Sequence, residues 1–514
     1  MKHISIIVML CFGLVLSACS SSSQSGPKDS GTGEPQDLVM ALGSEPVSLD
    51  PQDATDGISY DATELMYDKL VTFDKDMKLV PQLAKEWKTS DDGLKVTFTL
   101  NQGAKFHDGA SLNADAVKAS FDRIMNKDNK LGRFALYTEF LDKVVVDSEY
   151  QVTFQLKFPY VPALANFAHP SGAIVNAKAA KEKGENFSKS PVGSGPYQFK
   201  EWVSGDKVVL TANTGYWGEK PKLKSITIKA VKENAARALM LETGEAGVIA
   251  PVPATDIERL KGDNKLTVTT YPSNRNLYIG INTQKAPFND VKVRQALNYA
   301  VDKDTIVKKI LLGQAQVSQS AISERTSGYS PAGAYPYDPE KAKSLLTEAG
   351  VKPGTTIKLW TPEGRYLMDR QIAEFVQANL EAVGLKVEFQ KWEWGAYTKA
   401  YRDPNSGLEL FLVSWAVPSN DADGGLRPLF MTKGTNNYTV FSNKTIDDLL
   451  DKGMKTVNND ERKKIYADTL KAIKDQAPWI FLVEMKQPVG VRKNVEGVTS
   501  LNTELVDLRT AVKK

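Results

Sequence analysis

The chain has 514 residues, 41% hydrophobic and 25% charged, with 65 Lys and Arg against 62 Asp and Glu for a formal net charge of +3. That length exceeds what one hydrophobic core usually supports, so two or three lobes of ordinary globular composition are expected. The near-neutral balance excludes a nucleic-acid binder built on a basic domain or stripe. Beyond the N-terminal segment, no stretch approaches the roughly 20 continuous apolar residues of a membrane helix.

In chain order, Lys2 supplies a positive start and residues 4–16 form an apolar stretch of signal-peptide length. Small residues then lead into Leu16-Ser17-Ala18-Cys19. The pattern resembles the lipobox of bacterial lipoproteins, which implies a signal peptide over residues 1–18, lipidation of Cys19 and attachment to a membrane by acyl chains. Each buried CH₂ contributes roughly 0.8 kcal/mol, so two or more chains anchor a protein stably. Removing 18 residues from 514 leaves 496, and the loss of Lys2 lowers the charge from +3 to +2. Cys11 leaves with the same segment, so Cys19 is the one remaining cysteine and no internal disulfide is expected. Residues 20–37 read SSSSQSGPKDSGTGEPQD and have nothing apolar to bury, so residues 19–37 are expected to be a lipidated flexible tether.

From Leu38 onward the texture is mixed α and β. Residues 94–100 (LKVTFTL) alternate strictly after the Asp92-Gly93 turn signal, and residues 151–157 (QVTFQLK) repeat the scheme as a matching strand. Between them Asn113 can cap a helix carrying Val117, Phe121 and Ile124 at helical spacing. Residues 206–212 and 225–230 read as strands. The second half alternates: a helix over 293–312, a helix over 339–349 stopped at Gly350, and a strand over 357–360. Next comes a helix with Ile372, Phe375, Val376, Leu380 and Val383 on one face, ending at Gly384. Strands over 385–392 and 408–415 follow, the second apolar enough for burial on both faces. Helices near 445–455 and 460–475 and a strand over 479–483 complete an α/β lobe with a partly parallel sheet.

No catalytic constellation is visible. There is no G-x-x-x-x-G-K-[ST] phosphate loop, and Gly193-Ser194-Gly195 lacks the spacing of a nucleophile elbow. Beyond the leader only His107 and His169 occur, far apart in sequence, which excludes a Cys/His zinc site and leaves few partners for a Ser-His pair. Asp91-Asp92 and Asp421 with Asp423 could form a two-carboxylate site, but a turn and a ligand-facing loop are the preferred readings. The expectation is a binding protein rather than an enzyme, without cofactor or metal ligands.

A set of ordered motifs then carries a family resemblance. It comprises Ser48-Leu49-Asp50-Pro51, Tyr67-Asp68-Lys69-Leu70-Val71, Pro81-Gln82-Leu83-Ala84 through Trp87, and Phe106-His107-Asp108-Gly109. It continues with Pro191-Val192-Gly193-Ser194-Gly195-Pro196-Tyr197, Tyr216-Trp217, Val293-Arg294-Gln295-Ala296-Leu297, Tyr337-Asp338-Pro339-Glu340-Lys341-Ala342 and Phe430. The chain resembles the extracytoplasmic solute-binding proteins (family 5) of ABC importers for peptides, nickel chelates and glutathione, over about residues 38–485. The resemblance implies an α/β fold: a three-lobed, periplasmic-binding-protein-like clamshell of the class II, large peptide-binding form, with mixed sheets and a two-strand hinge. Lobe I would comprise 38–70, 196–276 and 487–514, lobe II 71–195, and lobe III 277–486. The hinge strands would cross near 276–280 and 484–488. Partners would be an ABC permease and its ATPase subunits, and the protein would be a monomer.

The similarity leans toward the glutathione-binding branch through Leu131-Gly132-Arg133-Phe134-Ala135-Leu136-Tyr137, Phe167-Ala168-His169-Pro170-Ser171, Ala235-Ala236-Arg237-Ala238, Thr243-Gly244-Glu245-Ala246, and Trp415 with the Asp421-Ala422-Asp423 loop and Leu429-Phe430. Glutathione has two carboxylates and one ammonium, so a closed cleft needs an arginine fork and an acidic partner. Arg133, Arg275 and Arg365 are candidates for the fork and Asp421 and Asp423 for the acid, while Trp415, Tyr137 and Tyr366 could wall the pocket. Peptide receptors of the family place an aspartate three residues after the tryptophan equivalent to Trp415, to hold the peptide amino terminus. Here that position is Pro418. A metal-chelate receptor is the alternative ligand class, and a peptide-sensing receptor the alternative role.

Overall fold

Period-two apolar patterning and one pair of unusually long strands organise the molecule around a single mixed sheet. The structure is a computed structural model that describes residues 36–514; the leader, Cys19 and all but the last two residues of the tether lie outside the described residues. Eleven strands share the main sheet: β1 (Asp37–Leu42), β2 (Tyr197–Val203), β3 (Lys207–Ala212), β4 (Ser225–Ala230), β5 (Val248–Ala250), β6 (Leu266–Ile281), β7 (Ala315–Val317), β8 (Thr356–Pro362), β9 (Lys386–Trp392), β10 (Leu410–Trp415) and β11 (Trp479–Arg492). Their order is β9-β8-β10-β6-β11-β5-β1-β4-β3-β2, with β7 pairing β11. The β8–β9, β8–β10, β1–β5 and β1–β4 pairs are parallel and the others antiparallel.

β6 and β11 are the seam. The C-terminal half of β6, from Asn276, pairs with β10, while Val491 and Gly490 of β11 pair with β5. The two strands run antiparallel from Leu266 opposite Arg492 to Gly280 opposite Trp479, and the register shifts between Pro272 and Asn276. β11 was legible from sequence only over 479–483, because its later residues (Glu484, Lys486, Gln487, Pro488) break the apolar run.

A second, fully antiparallel sheet has the order Ala84–Thr89, Lys95–Leu100, Gln151–Leu156 and Leu141–Ser148. The two strands expected to match are neighbours within it. Against it lies the helix Ala114–Met125, capped as expected by Asn113, whose side chain accepts from the Ala116 N–H. Val117, Phe121 and Ile124 face a core in which Phe98, Phe121, Phe154 and Phe167 meet edge-to-face or tilted. Separate cores lie on either side of the seam, one around Leu38, Met40, Ile226 and Val248, the other around Leu277, Ile279, Leu359 and Leu412.

Three segments depart from the sequence reading. The helix expected over 293–312 is Val291–Ala300, and Asp302 then opens a new turn by accepting from Thr305 N–H and Oγ1, followed by the wide turn Ile306–Ile310. The 421–423 segment is the start of a helix, Ala422–Phe430, with Asp421 as its cap, and not a loop. The helix Trp394–Arg402 has aromatic rather than aliphatic spacing and went unread.

Gly193 and Gly195 lie directly against the backbone of the Leu65–Tyr67 segment. Neither has positive φ. They are required by clearance, since a Cβ on Gly193 would stand 1.9 Å from Met66 O and one on Gly195 2.6 Å from Met66 C. Gly193→Ala is expected to destabilise the fold by about 1–3 kcal/mol, the usual cost of overpacking, read as a lower midpoint in urea denaturation; an unchanged midpoint would contradict the steric role.

Candidate functional site

A recess is built where strand ends and helix starts from both sides of the seam converge. It encloses about 1020 Å³, including the part open to solvent. The helix Gly57–Met66 brings Asp56, its cap, and Tyr60 to the wall, and Arg133 stands at the N-cap of Phe134–Thr138. β6 contributes Arg275, from the register shift, and Tyr278. Arg365 and Tyr366 follow β8, Trp394 and Arg402 mark the ends of their helix, and Ser414 and Trp415 close β10.

Four arginines therefore face this space, and Asp56 is the one carboxylate among its lining residues. Asp56 is already engaged, accepting from Ser59 N–H at 3.0 Å and Ser59 Oγ at 2.7 Å. Arg275 is tied down by an ion pair to Glu504 and a 2.6 Å bond to Ser414 Oγ. Burial pulls its pKa down, but Glu504 and its other anionic neighbours outweigh that and hold it above the ordinary arginine value. Arg402 donates to Thr55 Oγ1 at 3.3 Å. Arg133 spends only its Nε, on Ala54 O at 3.1 Å and Tyr60 Oη at 2.8 Å, which leaves both Nη groups without a protein acceptor. The Tyr60 hydroxyl, pushed up to about 12 by burial against the opposing pull of Arg133, remains a phenol and donates to Ala54 O.

Arg365 is the least satisfied. Its guanidinium lies 5.1 Å from the Tyr366 ring centroid and 5.0 Å from that of Trp394, makes no hydrogen bond to the protein, and has its Nε buried. The indole Nε1 of Trp415 is likewise buried without an acceptor. Donors and positive charge thus outnumber acceptors in one aromatic-walled recess, an arrangement suited to a ligand with carboxylates.

Of the residues singled out from sequence, Arg133, Arg275, Arg365, Tyr366 and Trp415 share this wall. Three stand elsewhere. Tyr137 is fully buried, its hydroxyl donating to Asn166 O at 2.9 Å and lying 3.1 Å from Ser171 Oγ, so it is packed into the aromatic core rather than a pocket wall. Asp421 is held bidentately by Arg462 at 2.7 and 2.8 Å. Asp423 accepts from Arg427, Tyr160 and Tyr466 and borders an adjoining recess. Burial raises its pKa, with Arg427 opposing. Neither aspartate has a carboxylate free for the large recess, whereas Pro418 does line it. Asp56, Tyr60, Tyr278, Trp394, Arg402 and Tyr438 were missed. Only the Trp392-Glu393-Trp394 cluster and Tyr401-Arg402 offered a signal, as dense aromatic and cationic residues beside a strand.

Comparison with known proteins identifies the family and the fold. Residues 78–437 match the bacterial extracellular solute-binding proteins, family 5. The chain is 37% identical over 470 residues to the glutathione-binding protein GsiB of Pectobacterium atrosepticum, covering 90% of this chain and 91% of that one. It superposes with a TM-score of 0.87 and 28% identity on the oligopeptide-binding protein AppA of Bacillus subtilis in complex with a nonapeptide, covering 94% of this chain and all of that one. With DppA of Helicobacter pylori, in complex with the peptide STSA, the TM-score is 0.84 at 29% identity, covering 92% and 98%.

Because Asp421 neutralises a buried guanidinium, Asp421→Asn is expected to cost about 3–5 kcal/mol of stability in chemical denaturation. Ligand affinity of the folded fraction should stay within twofold of the unaltered protein; a large affinity loss with intact stability would return Asp421 to the site.

Proposed function

The chain belongs to family 5 of the bacterial extracellular solute-binding proteins, and from that premise we propose that it captures a small anionic peptide, glutathione or a close analogue, for an ABC importer. Members of this family act outside the cytoplasm and bind their solute without transforming it. The observation that carries the proposal is the charge of the recess: four arginines, of which Arg365 makes no guanidinium hydrogen bond to a described residue and Arg133 only through its Nε, against one engaged carboxylate. Glutathione has more carboxylates than ammonium groups, and the relatives named for binding it support the same choice. A neutral dipeptide would leave a guanidinium buried and unserved, which costs more than an unmet neutral donor.

On this reading the chain works as three lobes, 38–70 with 196–276 and 487–514, then 71–195, then 277–486, and the ligand draws them together about β6 and β11. The closed form is what permease and ATPase subunits would receive. Cys19 bears the lipid that keeps the receptor, a monomer, at the membrane. The core around Leu277, Leu359 and Leu412 is separate from the one around Leu38, Ile226 and Val248, which supports the division between 277–486 and the first lobe.

Calorimetry with glutathione, neutral di- to pentapeptides and nickel–histidine tests the ligand. Glutathione is expected to bind most tightly, and Arg365→Ala to weaken it about 10- to 150-fold, the equivalent of one charge-assisted hydrogen bond of about 1.5–3 kcal/mol. Preference for neutral peptides or the nickel chelate, or an affinity unmoved by the substitution, would overturn the assignment. Separately, Cys19→Ala is expected to abolish labelling by radioactive palmitate and move the protein from the membrane to the soluble fraction; unchanged fractionation would remove the lipid anchor.

A further inference from the structure

A second recess, of about 760 Å³ including its open part, lies against the register shift between β6 and β11. At its base is Glu484, only 2% exposed. Glu484 Oε2 is well served, accepting from Ser323 Oγ at 3.0 Å, Gln316 Nε2 at 3.1 Å and Glu324 N–H at 3.2 Å. Oε1 is buried and has no donor. Directly opposite on β6, and so on the same face of the sheet, Asn276 also has its Oδ1 buried without a donor. The cations bordering the recess are committed elsewhere: Arg325 faces Glu324 at 3.5 Å and Lys486 Nζ donates to Gly313 O at 3.0 Å. Burial raises the Glu484 pKa, and the neighbouring Glu324 charge adds to the rise. A buried carboxylate without a cationic partner is costly unless something neutralises it.

We propose that this recess binds a small organic cation through a primary ammonium group that donates to Glu484 Oε1. An ammonium can give one of its three N–H bonds to Glu484 Oε1, the buried side-chain oxygen of the lining left without a donor among the described residues. A calcium ion needs six to eight oxygen ligands, and among the described residues no three His, Cys, Asp or Glu are grouped to hold a metal ion. The recess is also larger than an ion requires, and Tyr271, Pro272 and Met485 give it apolar surface for a short alkyl stem.

The test uses n-butylammonium chloride on the full folded protein, with tetramethylammonium chloride and calcium chloride at matched ionic strength, followed by thermal shift. A saturable rise in Tm is expected with butylammonium and none with tetramethylammonium, which has no N–H to donate. Glu484→Gln should weaken the butylammonium response at least tenfold, while Arg365→Ala, in the other recess, should leave it unchanged. Equal responses to the two ammonium salts, a response to calcium alone, or an unaltered response in Glu484→Gln would overturn the site. Should Glu484→Gln fail to fold, crystals of the unaltered protein soaked in butylammonium decide: nitrogen within hydrogen-bond distance of Glu484 Oε1 is expected, and density confined to the arginine-lined recess rejects the proposal.

Discussion

The antiparallel pairing of β6 with β11 is the constraint on which the other contacts depend. The main sheet passes from one apolar core to the other only through these two strands, since β10 flanks β6 and β5 flanks β11. Continuous pairing would make a rigid plank, yet the register slips between Pro272 and Asn276, where Pro272 has no N–H to give the ladder. The slip places Ser273 in one recess and Arg275 in another, two residues apart.

Charge is handled differently in two neighbouring regions of the molecule. In the helical region around Asp421 and Asp423, buried carboxylates are matched by Arg462 and Arg427, and the hydroxyls of Tyr160 and Tyr466 take the remaining lone pairs. Such closed networks add little net stability but are costly to break. In the arginine-lined recess the matching is left incomplete. Arg275 has Glu504, but Arg365 makes no guanidinium hydrogen bond to a described residue and Arg133 none through its Nη groups. Identical residue types thus serve as closed structure in one place and line an open recess, the proposed receptor surface, in the other. Only the count of satisfied atoms separates them.

That difference explains what the sequence could and could not disclose. Strands such as Lys95–Leu100 and helices such as Ala114–Met125 were legible because burial imposes a period that composition displays directly. Arg133, Arg275 and Arg365 could be picked out by ligand chemistry and family likeness together. That Asp421 and Asp423 stand apart from the recess was not legible, because a carboxylate pair looks the same on paper whether its partner is a ligand or Arg462, 41 residues away. That Tyr137 stands apart was hidden for the same reason, since its hydroxyl partner Asn166 is 29 residues distant. Arg402 and Trp394 were hidden inside a helix whose buried face is made by Tyr397 and Tyr401 rather than by aliphatic residues. Long-range pairing decides these cases, and no local pattern encodes it.

The unserved donors also bear on how a ligand and the protein's own shape are coupled. A buried donor without an acceptor costs about 1–3 kcal/mol, and more when it is charged. Arg365 Nε and Trp415 Nε1 are both in that condition, on walls supplied by different elements. A form that exposes them to water avoids the cost, while a form that buries them incurs it unless a carboxylate enters. On the proposed function, an anionic ligand would favour the enclosed arrangement by the same interactions that bind it, and would discriminate against solutes that could fill the space but not relieve the donors. Selectivity for charge and the free energy for enclosure would then have one source.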